Sequence, residues 1–279
     1  MGLAQHHRGN RLLNAIISDR GRFLAALFVL DLHFRREDDG VGLTPGRLKE
    51  LCVAQNVCSA TRAGALLTLM KLGGFVEAAP RGRDGRLREL VPTQKLIAQQ
   101  CARWRCYLLG AAALLPNAAR AQAMLDDPDF VSGAVRLMSA HFRAGFRFVD
   151  FAPNLRLFCD RNGGLFVLFS LLAVDGTGRD EPIEISVSEL ARSISTSRAH
   201  VVKMLKDAEA EGLLQRVSNG GIRILPPLER DVGEFFALGY LWVMYMAEVM
   251  LDHRAPGLSS TAHRDGASDS RTPGAAPRS

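Results

Sequence analysis

The chain has 279 residues, of which 47% are apolar, 23% charged and 7% aromatic. This apolar content can build a sizeable core, which excludes a wholly disordered chain, and the length fits one or two domains. The formal net charge is +6, and most of the cations are arginine, a balance that favours phosphate-bearing partners. The positive excess lies within residues 1–150, whereas residues 151–250 are net acidic.

The first half of the chain predicts three helices, a β-hairpin and a fourth, longer helix. Apolar residues at helical spacing, capping residues at helix starts and glycines at helix ends set the boundaries. In chain order the elements are a helix over 18–34, a short helix opened by Thr44 and Pro45, a helix from Ser59 to the glycines at 73–74, a hairpin over 75–91 that turns at Asp84-Gly85, and a helix from Thr93 towards Leu115.

The second half repeats this order, and the intervening residues 117–161 predict two or three short helices. Its elements are a helix over about 162–173, a short strand over 183–185, a helix capped by Ser186 and Glu189, a helix from Ser197 to Gly212, a hairpin over 213–225 that turns at Asn219-Gly220, and a long helix from Pro226 to about His253.

Two segments of the chain align without a gap, Ser59–Val76 against Ser197–Leu214. Serine begins both segments, an apolar pair follows the glycine in both, and each then continues into a hairpin and a helix. An internal repeat of this kind predicts two copies of one structural unit.

The repeated order of helix, short helix, turn, helix and hairpin is that of a winged helix-turn-helix. The stretch from Ser197 to Leu214 resembles the recognition-helix pattern of bacterial winged-helix regulators of the CRP and MarR types, through its serine–arginine start, spaced apolar residues and glycine–leucine exit. The resemblance implies that Arg198 and Lys203 contact DNA bases. The CRP-type pattern has an acidic residue where this chain has Ala199, so that family's base preference does not carry over. The first unit, with its opening and closing helices, looks most like a MarR-type module.

The candidate DNA contacts lie on two helices and on the first hairpin. Thr61 and Arg62 can read base edges in the major groove, and arginines at a hairpin tip can follow the minor-groove wall. Because the first half is basic and the second acidic, we expect Arg62→Ala to cost more sequence specificity than Arg198→Ala. The predicted base-contacting residues are Ser59, Thr61, Arg62, Ser197, Arg198, His200 and Lys203, and the predicted hairpin contacts are Arg81, Arg83, Arg86 and Arg88.

Other features of the sequence argue against catalysis and metal binding. The motifs typical of nucleotide-binding loops, serine hydrolases and zinc peptidases are missing, so no catalytic residue, cofactor or enzyme activity is expected. Five cysteines without a CxxC motif, in a chain with no export signal, predict reduced cytoplasmic thiols. The Cys52–Cys58 and Cys101–Cys106 pairs leave a redox or metal role open, but buried packing is the favoured interpretation.

The helix predicted over 228–252 is apolar around most of its circumference and must be covered. Its uninterrupted apolar run, 235–247, is shorter than the ~20 residues of a membrane span, so no membrane partner is expected. Three interpretations stay open: a core helix packed on residues 117–161, a homodimer interface, and part of a methionine- and aromatic-lined pocket for a small apolar effector.

The sequence therefore predicts a mostly α fold with small β-hairpin wings, in which two winged helix-turn-helix units are joined and flanked by helices. We expect a cytoplasmic, nucleoid-associated transcriptional regulator that binds double-stranded DNA. A plasmid-type replication initiator and a tandem winged-helix protein-binding adaptor of chromosome segregation are the alternatives; the acidic second half argues against the first and the basic first hairpin against the second. The predicted segments are an N-terminal arm (1–17), a first unit (18–115), a helical connector (116–161), a second unit with a long helix (162–252) and a disordered tail (253–279).

Overall fold

The computed structural model describes residues 19–80, 89–112, 117–174, 182–194, 196–217 and 221–252. The predicted N-terminal arm, both hairpin turns and the predicted tail lie outside these residues. The described part is mostly helical with two small antiparallel sheets of two strands each. Through the first hairpin and its following helix the elements are α1 (Arg20–Phe34), α2 (Arg36–Asp39), α3 (Pro45–Ala54), α4 (Ala60–Leu72), β1 (Val76–Ala78), β2 (Leu90–Pro92) and α5 (Gln94–Ala111).

The rest of the described chain runs from a group of connecting helices into a second hairpin and a long helix. These elements are α6 (Ala118–Ala123), a 3₁₀ turn (Met124–Asp126), α7 (Pro128–Arg143), α8 (Phe148–Phe151), a 3₁₀ turn (Pro153–Leu155), α9 (Arg156–Cys159), α10 (Gly164–Val174), α11 (Val187–Ser193), α12 (Arg198–Ala210), β3 (Leu214–Arg216), β4 (Ile222–Ile224) and α13 (Pro226–Asp252).

The two halves share the same local architecture. Helices α4 and α12 both have 13 residues and both lead through a left-handed glycine, Gly74 (φ 67°) or Gly212 (φ 68°), into the first strand of a hairpin. Glycine suits this position because other residues adopt positive φ only with strain. In each half a residue before the helix pair bridges to the second strand of the hairpin: Leu43 to Leu90, and Ile183 to Ile222. The strand predicted over 183–185 is reduced to that single bridge.

Equivalent positions of the two halves also fill the core. The inner face of α4 and that of α12 are each built from four buried apolar residues at the same helical spacing, as expected for a helix with one covered face. Those of α4 are Ala63, Leu66, Leu67 and Met70, and those of α12 are Val201, Met204, Leu205 and Ala208.

The connecting segment is more substantial than the two or three short helices that the sequence predicts. Helix α7 has 16 residues, begins at Pro128 after the Asp127 cap and packs along α1. The buried carboxylate of Asp31 on α1 pairs with Arg35 at 3.1 Å and with Arg143 on α7 at 3.4 Å. Buried residues of both halves and of this segment form one continuous cluster, so α7 is part of the core.

Helix α13 packs one side into the core, and a third of its most apolar stretch is buried. Its buried side packs against α5, α7 and α8, and Trp242 and Met246 lie within the core. Leu241 and Tyr245 are the large apolar residues exposed on its outer side. This helix is long and apolar enough to cross a membrane, a property that core helices of soluble proteins share. Its packing favours the core interpretation, and the homodimer interface stays a prediction.

Candidate nucleic-acid interface

The two serines that begin α4 and α12 serve as helix caps. The Oγ of Ser59 accepts a hydrogen bond from the backbone N–H of Arg62 at 3.2 Å, and the Oγ of Ser197 accepts one from the N–H of His200 at 3.1 Å. Such caps satisfy backbone donors that the first helical turn leaves free. The predicted base-contacting role of these hydroxyls therefore competes with a structural one.

Arg62 is held by the body of the protein. Its Nη2 lies 2.7 Å from Oδ2 of Asp19, whose side chain is only 3% exposed. Asp19 also caps α1 by accepting from the N–H of Arg22 at 2.9 Å, and it pairs with the Nε of Arg22 at 3.3 Å. Half of the Arg62 side chain is exposed, but its guanidinium is bound to a buried carboxylate, whose charge it helps Arg22 to balance.

The outward face of α4 is mostly uncharged, with the exposed Lys71 as its one charged residue besides Arg62. Thr61 and Ala65 are exposed in its first turns, Thr68 donates to the carbonyl of Gly64 at 3.1 Å, and Leu72 is 81% exposed at its end. Of the residues predicted on this helix, Thr61 is therefore exposed on the outer stripe, whereas Arg62 points to Asp19.

The exposed face of α12 is basic. Arg198 is exposed and forms no hydrogen bond or ion pair with any residue of the described ranges, and the same holds for Lys206. Lys203 is 74% exposed and reaches Asp207, one turn later, at 3.0 Å. His200 is half-buried, and its Nε2 lies 3.0 Å from the carbonyl oxygen of Asn162, which can only accept. Arg198, Lys203 and Lys206 thus form an outward basic face, while His200 points inward.

The acidic residues near α12 are largely neutralised by neighbouring cations. Asp207 is bound by Lys203 and by Arg161 at 2.6 Å, and the hydrogen bond from Lys203 is the main reason that the pKa of Asp207 lies below its ordinary value. Glu209 accepts from the backbone N–H of Arg216 at 3.0 Å and from its Nε at 2.7 Å, which lowers the pKa of Glu209. These pairs balance Asp207 and Glu209 locally, whereas the net acidity of residues 151–250 is unchanged because it already counts the three cations.

The predicted hairpin contacts Arg81, Arg83, Arg86 and Arg88 lie outside the described residues. The base of that hairpin is described: Ala78 pairs with Leu90, and the N–H of Ala79 donates to the carbonyl of Glu89 at 3.0 Å. The Glu89 carboxylate also accepts from the N–H of Gly42 at 3.2 Å and pairs with Arg36 at 3.3 Å. The point from which the arginine-rich segment departs is therefore firmly anchored to the first unit.

The cysteines pack as buried or half-buried free thiols. Burial raises the pKa of Cys52 to about 12, with nearby Cys58 contributing, and burial also raises the pKa of Cys159 to about 12. Thiols with such pKa values carry little nucleophilic thiolate near neutral pH. Within the described ranges no group of three or more His, Cys, Asp or Glu is placed to hold a metal ion.

Comparison with protein-family models, with curated proteins and with solved structures finds no match to this chain.

Proposed function

We propose that this protein is a sequence-specific, double-stranded DNA-binding transcriptional regulator in which two winged helix-turn-helix units share one core. The observation that carries the proposal is the repeated unit itself: two capped 13-residue helices, each preceded by a short helix and followed through a left-handed glycine by a hairpin. In this architecture the second helix of each unit enters the major groove and the hairpin lies along the backbone.

The exposed basic face of α12 supplies the side chains that would contact DNA bases and phosphates. Arg198 stands at the positive N-terminal end of the helix with its guanidinium uncommitted, and Lys203 and Lys206 follow on the same face. An arginine in this position can donate two hydrogen bonds to a guanine edge, and the lysines can pair with phosphates. We therefore propose Arg198 as the main base-reading residue and Lys203 and Lys206 as backbone contacts.

The test begins with selection of bound fragments from a library of genomic duplexes, followed by fluorescence anisotropy on a selected fragment over a range of salt concentrations. The double variant Lys203→Ala, Lys206→Ala should weaken binding to all duplexes and make the log–log salt slope shallower by ~1–2, at ~0.9 per lost phosphate contact. Arg120→Ala is the matched control because Arg120 is an exposed arginine on α6 without a partner in the described residues. A wild-type protein that binds no duplex at low salt, or a double variant with an unchanged slope, contradicts the proposal.

A tandem winged-helix protein-binding adaptor is the second candidate, and the outer stripe of α4 favours it. This stripe carries little charge, with Lys71 at its end, and finishes in the strongly exposed Leu72, features more suited to a protein partner than to phosphate. The same selection separates the candidates, because an adaptor retains no duplex fragment above background.

A further inference from the structure

A small apolar cavity lies where α1, α7, α8, α10 and α13 meet. Its volume is about 160 Å³, and its walls are almost wholly aromatic and aliphatic, with Phe23, Phe148, Leu165 and Trp242 among them. The ring of Phe148 packs edge-on against Phe146 at 5.2 Å and against Phe235 at 6.0 Å between centroids. An apolar cavity of about 150 Å³ is large enough to take up benzene, so this one has room for one aromatic ring or a short hydrocarbon chain.

The mouth of the cavity is positively charged. Arg20, Arg147 and two apolar residues line both the cavity and a neighbouring polar cleft of about 330 Å³, which also contains Asp150, Arg156 and Asp160. Arg20 pairs with Asp160 at 3.1 Å, and Arg156 pairs with Asp150 at 2.6 Å. The two pairs cancel, and the charge of Arg147 is left in excess.

Arg147 is held in place without a carboxylate partner among the described residues. Its guanidinium lies over the ring of Phe142 at 3.3 Å, and its Nη1 donates to the backbone carbonyls of Phe142 and, at 3.0 Å, of Phe146. Desolvation by burial and the nearby charge of Arg20 lower the pKa of Arg147, and the nearby charge of Asp150 opposes them in part. A bound anion would act in the same direction as Asp150, because it would place further negative charge beside the guanidinium.

The same mouth is connected to both candidate DNA-reading helices. Asp19, next to Arg20, binds Arg62 of α4 at 2.7 Å. On the other side, Asp160 precedes Arg161, which binds Asp207 of α12 at 2.6 Å, and the carbonyl of Asn162 accepts from His200. The Arg20–Asp160 pair therefore joins the segment that anchors α4 to the segment that anchors α12.

We propose that the cavity and its mouth bind a small amphipathic carboxylate, with the hydrocarbon part among the aromatic rings and the carboxylate on Arg147 and Arg20. The bound carboxylate competes with Asp160 for Arg20, an exchange that costs little because an exposed ion pair contributes little stability. Release of Asp160 loosens the 160–162 segment, and DNA binding by α12 weakens. This regulatory step rests on the proposed DNA-binding function, whereas the ligand site does not.

The ligand site is tested on the full chain without DNA, by calorimetry with phenylacetate, hexanoate, benzyl alcohol and acetate as probes. We expect phenylacetate or hexanoate to bind with a Kd of about 1 mM or tighter, and the neutral alcohol and the short acetate at least about tenfold more weakly. Arg147→Gln should weaken carboxylate binding about tenfold while leaving benzyl alcohol unchanged, and Arg147→Lys should retain part of the affinity. Arg120→Gln is the surface control.

Equal affinity for phenylacetate and benzyl alcohol, or no loss in Arg147→Gln, overturns the anion site. Failure of both carboxylates to bind the wild-type chain overturns the whole proposal. Unchanged benzyl alcohol binding in Arg147→Gln verifies that the variant keeps its cavity.

The regulatory step is tested by anisotropy on a selected duplex with saturating phenylacetate. We expect the DNA Kd to rise about twofold to fivefold, the range that an exposed ion pair can supply, with the ligand Kd rising by the same factor when DNA is bound. Asp160→Asn removes the competing carboxylate, so it should tighten ligand binding and weaken DNA binding without ligand. An unchanged DNA Kd overturns the regulation and leaves the site intact. A wild-type protein that binds no DNA overturns the proposed function and the regulation together, while the calorimetry still decides the ligand site.

Discussion

Replacing Arg62 and replacing Arg198 should affect different properties of the protein, stability in the first case and DNA discrimination in the second. The sequence alone predicts that Arg62 matters more for specificity, because it lies in the basic half. The structure supports the reverse order, since Arg62 is bound to the buried Asp19 whereas Arg198 is exposed and uncommitted. We expect Arg62→Ala to lower stability with little loss of discrimination, and Arg198→Ala to lower discrimination at unchanged stability.

The expected magnitudes follow from the contacts. A hydrogen bond to a charged group contributes ~1.5–3 kcal/mol to stability when its removal leaves a buried partner. Asp19 keeps its two bonds from Arg22, and Arg62 is half exposed, so the loss in Arg62→Ala should be about 1 kcal/mol, equivalent to a Tm lower by ~2–4 °C. A bidentate arginine–guanine contact discriminates against the wrong base by ~1–3 kcal/mol, which is the loss expected for Arg198→Ala.

Urea unfolding measures the first effect, and competition between a selected fragment and a scrambled duplex at fixed salt measures the second. Arg120→Ala controls for the removal of an exposed arginine. An Arg62→Ala protein that keeps its stability but loses its preference for the selected fragment would refute the assignment of Arg62 to Asp19 as its principal partner.

Two further predictions concern titratable groups. Burial raises the pKa values of Cys52 and Cys159 to about 12, so both thiols should stay unmodified by iodoacetamide at pH 8 in the native protein and react after unfolding. Mass spectrometry measures the labelling, and native labelling of either thiol at the rate of the unfolded chain contradicts this prediction. The pKa of Glu209 is lowered in the fold by Arg216, so its contribution to stability is complete above the ordinary value of 4.5 and is lost as the pH falls through the folded value. Glu209→Gln should therefore flatten the acid limb of stability against pH, and an unchanged limb would exclude this pair as a contributor.

Local chemistry explains why so much of the element order is predictable from the sequence. Ser59 and Ser197 cap helices, and Gly74 and Gly212 adopt positive φ, at the positions that the sequence indicates. Each of these features depends on residues within one or two helical turns. Helix α7 is the exception: its packing partner α1 is distant in sequence, and no local sequence pattern indicates that contact.

Site chemistry is less predictable because it depends on distant partners. Arg62 and Asp19 are 43 residues apart in sequence, and Arg161 and Asp207 are 46 residues apart. The first pair engages an arginine that the sequence predicts to read bases, and the second pairs an acid that the sequence predicts to oppose DNA. Net charge summed along the chain cannot show either effect, because it counts a paired side chain and a free one alike.

Under the proposed function, the first copy contacts DNA mainly through its hairpin and the second copy mainly through its helix α12. The first copy has only Lys71 as an exposed cation of α4 besides the Asp19-bound Arg62, and it has four arginines in the hairpin sequence over 81–88. The second copy has the basic face of α12, and its hairpin strand commits Arg216 to Glu209. Because hairpin contacts to phosphate carry no sequence information and helix contacts to bases do, the first copy would supply affinity and the second specificity. Placing the outer residues of α12 (Arg198, Lys203 and Lys206) at the equivalent positions of α4, and those of α4 on α12, should then move the sequence preference to the half-site bound by the first copy. If the two copies were equivalent, the preference measured by competition between duplexes would not move.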